Sequence, residues 1–120
     1  MRKMNLLEVD PIWNEDRTMQ LFESVGLTAV LYEEQLSIAK TVMEPYSSGT
    51  KHYHIQSKEI YVFISGSAEV VVDNKTFNVS AEDLIMIYPF ERHNVITRAE
   101  PVSFLAITLP AYSPHDFIID

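Results

Sequence analysis

A chain of 120 residues with no cysteine and a formal charge of −8 has room for one core, and it cannot use disulfides, thiolate nucleophiles or thiolate metal ligands. Its nine Lys and Arg are scattered, which argues against nucleic acid and anionic membranes as partners, since phosphate recognition needs clustered basic side chains. The opening MRKMNLLEVD lacks the apolar stretch of a secretion signal, and no run approaches the roughly 18 apolar residues of a membrane span. A soluble cytoplasmic protein is expected, with the sequons Asn74-Lys75-Thr76 and Asn78-Val79-Ser80 as ordinary turn and strand residues.

Residues 1 to 25 are polar and mixed and read as an N-terminal arm, with Trp13 and the Met19, Leu21, Phe22 cluster as its points of contact. From Gly26 the texture changes to nine short β-rich runs: LTAVLY, QLSIAKTVM, HYHI, EIYVFIS, AEVVVD, KTFNV, DLIMIY, HNVIT and VSFLAITL. Their short, even spacing predicts an all-β antiparallel sandwich or small barrel over residues 26–110, followed by a tail at 111–120. On QLSIAKTVM, period-2 alternation turns Lys40 to solvent and leaves Ala39, Thr41 and Met43 facing inward. Pro45 and Ser47 to Thr50 break the chain before the histidines, and Pro89, Pro101 and Pro110 close later runs. Asp73-Asn74 supplies the two left-handed positions of a tight hairpin. Gly66-Ser67 reads as a second, weaker turn. EIYVFIS and AEVVV are apolar on both faces, so their outer face needs a cover. The arm or a second copy of the chain would provide one, and a homodimer is expected.

HYHIQSKE, residues 52–59, holds two of the four histidines one residue apart. In a strand, such residues share a face about 6 to 7 Å apart, so two imidazoles can converge on one ion. Gln56 to Lys58 read as a turn, after which Glu59 opens the next strand as an available third ligand. His93, beginning HNVIT, can close a site of three histidines and one carboxylate. Taken singly, each is better explained as a solvated histidine or a strand-end glutamate, and only the joint pattern argues for a metal. His115, in the tail, lacks strand context and is left out.

The same residues resemble the cupin superfamily. Its first motif, with H-x-H, three or four residues, E, six residues and G, matches His52-Tyr53-His54, Glu59 and Gly66. Its second motif, laid on EDLIMIYPFERH, puts His93 on the family histidine. Several family turn positions differ: glycines fall on Tyr46, Glu82 and Phe90, a proline on Tyr88 beside Pro89, and an asparagine on Thr97. Those positions govern turns, and the fold can survive if the loops take other conformations. The resemblance implies a single small jelly-roll barrel, the double-stranded β-helix, holding one divalent transition metal ion (Fe, Mn, Zn, Ni, Co or Cu) through His52, His54, Glu59 and His93. Small cupins commonly pair, which agrees with the expected homodimer.

Three neutral imidazoles and one carboxylate leave a divalent octahedral ion two open positions, enough for a small substrate to chelate. Tyr61, on the face of Glu59 by parity, is the candidate for proton transfer, and a packed barrel tyrosine is the equal alternative. Thr41, Met43, Phe63, Met86, Tyr88 and Phe104 are candidate pocket walls that core packing explains as well, and Arg92 can orient a carboxylate at the rim, although a merely exposed arginine is the favoured reading. The expected function is a metal-dependent enzyme on a small oxygen-rich metabolite, of isomerase or lyase type. An iron dioxygenase and a non-catalytic sugar- or metabolite-binding module are the alternatives.

Overall fold

A computed structural model describes residues 3, 5–8, 10, 12–13, 19–23 and 37–120. Ten strands form among them: β1 (Ile12–Trp13), β2 (Met19–Glu23), β3 (Ser37–Met43), β4 (His52–Tyr53), β5 (Lys58–Val72), β6 (Lys75–Ser80), β7 (Leu84–Ile87), β8 (His93–Ile96), β9 (Val102–Leu109) and β10 (Ile118–Ile119). The only helical pieces among the described residues are two single 3-10 turns, Leu6–Glu8 and Pro114–Asp116. Pairing is antiparallel throughout, in the order β1-β2-β3-β9-β5-β8-β4-β10, with β6 and β7 also on β5. The fold is an all-β jelly roll. Its two halves share β5, whose first part pairs with β7 and β9 and whose second part pairs with β6 and β8.

That sharing corrects the reading of Gly66-Ser67 as a turn. EIYVFIS and AEVVV lie in one strand of 15 residues, bent where the register shifts between Phe63 and Ser65. Gly66 sits at φ +77°, and a Cβ there would lie 1.8 Å from the carbonyl oxygen of Pro101. Only glycine allows two backbones so close in a left-handed conformation. The Asp73-Asn74 hairpin forms as expected, with φ of 47° and 71°.

The two ends of the chain hold more structure than their composition suggests. In the N-terminal arm, β2 pairs with β3 from Met19 opposite Met43 to Glu23 opposite Ala39, so the arm extends the sheet. The expected strand LTAVLY and Gly26 lie outside the described residues. At the other end, the segment read as a tail without strand context forms the Pro114–Asp116 turn and β10, which pairs with β4. An edge strand with open N–H and C=O groups recruits such a segment because each backbone pair removes two unsatisfied polar groups.

Register sets the interior in rows. Glu59 lies opposite Thr108, itself opposite Ser37; Tyr61 opposite Ala106 and then Ala39; Phe63 opposite Phe104 and then Thr41. Phe63, Phe104, Met43, Val70, Ile87 and Val102 are buried, and each such side chain stabilises the fold by about 1.5 to 3 kcal/mol relative to exposure. The Phe63 and Phe104 rings lie 5.0 Å apart and Tyr61 and Phe104 4.9 Å apart, giving the barrel an aromatic floor.

Three turns carry residues other than glycine in the left-handed region. Tyr46, Glu82 and Phe90 keep positive φ values of 54°, 79° and 70°. Thr97, where the motif has asparagine, is buried and donates its hydroxyl to Glu44 O at 2.5 Å while accepting from Ser47 N at 2.9 Å. It ties the loop carrying Tyr46 to the end of β8.

Candidate metal centre

The register of the short strand β4 opposite β8 puts His52 directly across from His93. His54 follows one residue beyond β4, its main-chain oxygen accepting from Phe90 N at 2.7 Å. Glu59, the second residue of β5, points inward in the row above Tyr61. The donor atoms of His52, His54, Glu59 and His93 all lie within 4.8 Å of one another. Donors around a divalent ion at about 2.0 to 2.2 Å are themselves about 3 to 4 Å apart, so the set has the right size for one ion.

Protonation makes the case more specific. His52 Nδ1 lies 2.7 Å from Thr50 O, His54 Nδ1 2.6 Å from Asp116 O and His93 Nδ1 2.8 Å from Glu91 O. A carbonyl only accepts, so each Nδ1 carries a proton and each Nε2 is left facing inward, where it binds either an ion or a second proton. Glu59 Oε1 lies 3.1 Å from His93 Nε2, 3.7 Å from His52 Nε2 and in contact with His54 Nε2. His54 Nε2 is fully buried, with the Glu59 carboxylate as the group it faces. Three imidazole nitrogens and a carboxylate facing one point suit a cation among them. The residues therefore fit a divalent metal.

The electrostatics agree. Burial alone would raise the Glu59 carboxyl, yet the imidazoles of His52, His54 and His93 hold it well below the usual carboxylate range. Burial would lower His54, but Glu59 outweighs it and raises that ring above an ordinary histidine. Tyr61 is pushed well above the usual phenol range by burial and by the negative charge of Glu59.

A family model described as Cupin domain matches residues 39–108. The chain is a cupin. An uncharacterised protein of Methanocaldococcus jannaschii, MJ1618, is 31% identical to this cupin over 81 residues, covering 67% of this chain and 65% of that protein. Less than two-thirds of that relative is therefore spanned. Among solved structures, a protein described as a predicted oxalate decarboxylase from Thermotoga maritima superposes with a TM-score of 0.80 at 18% identity, over 91% of this chain and 99% of its own. Ectoine synthase from P. lautus gives 0.78 at 18% identity, over 94% and 80%. The polyketide cyclase RemF from Streptomyces resistomycificus gives 0.74 at 15% identity, over 97% and 89%. At these identities the likeness is one of fold, and neighbours with such different names show how little the barrel alone decides.

The other candidate residues of this cupin divide by parity. Tyr61, Phe63, Thr41, Met43 and Phe104 are buried on the inner face. Met86 and Tyr88 are not pocket walls, and Arg92 is turned outward. Met86 alternates with the inward Ile85 and Ile87 and is 41% exposed, and Tyr88, just past β7, is 53% exposed. Arg92 precedes the inward His93 and so points out, where it sits 4.0 Å over the Tyr53 ring, donates to Phe90 O at 2.8 Å and faces Asp120 at 3.6 Å. An alternating strand places consecutive residues on opposite faces, so neither neighbour of a ligand shares its pocket.

Two residues next to the site escaped the sequence reading. Asp116 is buried, and Phe117 stacks on His52 with ring centroids 4.1 Å apart and planes 21° apart. The available signal was an acidic residue inside the apolar end PHDFII. Its partners lie about sixty residues away, beyond the reach of any local pattern.

Proposed function

We propose that this cupin is a metal-dependent enzyme that acts on a small oxygen-rich metabolite by metal-assisted proton transfer, of isomerase or lyase type. The observation that carries the proposal is the pairing of two features: three imidazoles locked with Nε2 inward, and beside them a buried tyrosine held in its protonated form. His52, His54, Glu59 and His93 would hold the ion. When bound, it would supply Lewis-acid polarisation of a carbonyl or hydroxyl oxygen and an anchor for chelation.

The protein's own residues would do the rest. Tyr61 Oη, protonated at neutral pH, would donate a proton to the substrate and recover it later in the cycle. Ala39 and Ala106 share its row and stay half-buried between the buried Ser37, Thr41, Phe104 and Thr108. Small side chains there leave room opposite the phenol, and the hydroxyls of Thr108 and Ser37 in the Glu59 row suit an oxygen-bearing ligand. Phe63 and Phe104 would close the far end and exclude water. Ile64, Leu84 and Met86 stay exposed on the outer face of β5 and β7, which supports a homodimer through that face.

Elemental analysis of protein purified without added metal should find about one divalent transition ion per chain. Turnover that persists when zinc replaces iron supports the isomerase or lyase reading. Activity that disappears on that exchange together with oxygen uptake supports a dioxygenase instead, and a loaded protein inert on a broad panel of hydroxy acids and sugars supports a binding module.

A further inference from the structure

None of the last seven residues ligates the proposed ion, yet they touch its ligands at every level. The main-chain oxygen of Asp116 accepts from His54 Nδ1 at 2.6 Å. Its carboxylate accepts from three consecutive backbone N–H groups of the connection between His54 and Glu59: Oδ1 from Ile55 at 2.7 Å and Gln56 at 3.0 Å, Oδ2 from Gln56 at 3.2 Å and Ser57 at 2.9 Å. Phe117 lies flat on the His52 ring and edge-on to His54, its centroid 6.0 Å from the latter. Ile118 and Ile119 pair with Tyr53 and His52. Beyond them Asp120 donates its N–H to Lys51 O at 3.1 Å, and its carboxylate faces Lys51 Nζ at 3.2 Å and Arg92 Nε at 3.6 Å.

We propose that residues 114–120 form a strap that sets the metal centre, with Asp116 as the positioning residue that fixes how tightly the ion is held. The inference rests on the metal reading above. Physically, β4 is two residues long and cannot orient two imidazoles by its own pairing. An imidazole rotates about two side-chain torsions, and fixing them costs entropy at the moment the metal binds unless another group has already done so. The strap does this for two ligands by different means, a tautomer-fixing hydrogen bond for His54 and ring stacking for His52. The Asp116 carboxylate holds the strap and the 55–57 connection in one piece, and that connection also sets where Glu59 enters β5. Hydrogen bonds to a charged acceptor are the strong ones, and four converge on this side chain. Removal of such outer partners typically weakens metal binding by about 10 to 100-fold.

The test uses the full chain with Asp116→Ala, Asp116→Asn, Phe117→Ala and, as a control for lost stability, Val79→Ala, a core residue of β6 remote from the site. Each is titrated with Co(II) against a chelator, its visible spectrum is recorded, and the melting of the metal-free form is followed. Expected are a 10 to 100-fold weaker Kd and an altered Co(II) spectrum for Asp116→Ala, a smaller loss for Asp116→Asn, which keeps one acceptor oxygen, and faster release to the chelator for Phe117→Ala. Val79→Ala should lower the melting temperature and leave Kd and spectrum unchanged. If Asp116→Ala and Phe117→Ala bind Co(II) as the wild type does, the strap is merely structural and the proposal fails while the metal reading stands. If the wild type binds no Co(II), both fall. Should Asp116→Ala not fold, Phe117→Ala decides alone.

Discussion

The Nδ1–H of His54 donates to the main-chain oxygen of Asp116 at 2.6 Å, across 62 positions of sequence. A carbonyl from one end of the chain thereby decides which nitrogen of a mid-chain histidine is free to bind a cation. Glu59 draws a proton or an ion onto that nitrogen, and its influence is visible in the raised His54 ring. Metal and proton then compete for one lone pair.

Metal loading should therefore fall as the solution is made acid. The His54 pKa is raised in the metal-free fold, so competition begins above the ordinary histidine value of about 6.5. With one proton displaced per ion, the apparent Kd should rise about tenfold per pH unit below that point, and binding should release protons measurable with an indicator dye. A Kd flat between pH 5 and 8 would contradict the inward Nε2 lone pair.

Tyr61→Phe removes one hydroxyl from the row beside Glu59 and leaves the ring packed on Phe104. Metal affinity should stay within a few-fold of wild type. Turnover of any substrate the protein is found to convert should drop by about 10² to 10⁴ if Tyr61 is the proton donor. Intact turnover would assign Tyr61 to packing.

Glycine substitutions should have opposite signs at two bends. Gly66→Ala forces a Cβ to 1.8 Å from Pro101 O, and it should destabilise by about 3 kcal/mol or more in denaturant titration. Glu82→Gly relieves a left-handed residue at φ 79°, worth about 1 to 2 kcal/mol, against up to about 1 kcal/mol of glycine entropy. Its stability should be unchanged or higher. A clear loss in Glu82→Gly would show that the glutamate side chain holds that turn.

Asp116 should also shape the acid limb of stability. Burial would raise its carboxyl, but the N–H groups of Gln56, Ile55 and Ser57 hold it below the usual carboxylate range. A folded pKa lower than the unfolded one, about 3.9, means the contribution is fully present above that value and is lost as pH falls through the folded one. Metal-free Asp116→Asn should therefore differ most from wild type at neutral pH and converge with it as the pH falls through the folded pKa.

Light scattering should give twice the chain mass at micromolar concentration, and Leu84→Lys, a charge on the exposed edge of β7, should halve it. A monomeric wild type would remove the dimer from the functional proposal.

Alternation made much of this legible in advance. Glu59, Tyr61 and Phe63 face inward as parity requires, the Asp73-Asn74 hairpin closes as its residue types require, and the ligand spacing gave all four donors that converge. Met86 and Tyr88 depart from the expected pocket because residue type does not outweigh that same alternation, whereas Arg92 lies outward as an exposed arginine would. Gly66 was misread because a lone glycine marks a bend and a turn alike, and only the neighbouring strand, with Pro101 pressed against it, tells them apart.

By itself the order of residues determined which side chains have the chemistry to hold a cation and which face of each strand they occupy, since both follow from local geometry repeated every two residues. Tertiary structure alone decided which imidazole nitrogen is bare, what covers His52 and what anchors the 55–57 connection. Those depend on a carboxylate, a carbonyl and a ring delivered by the far end of the chain, and contacts formed by folding across about sixty residues leave no periodic trace in the sequence.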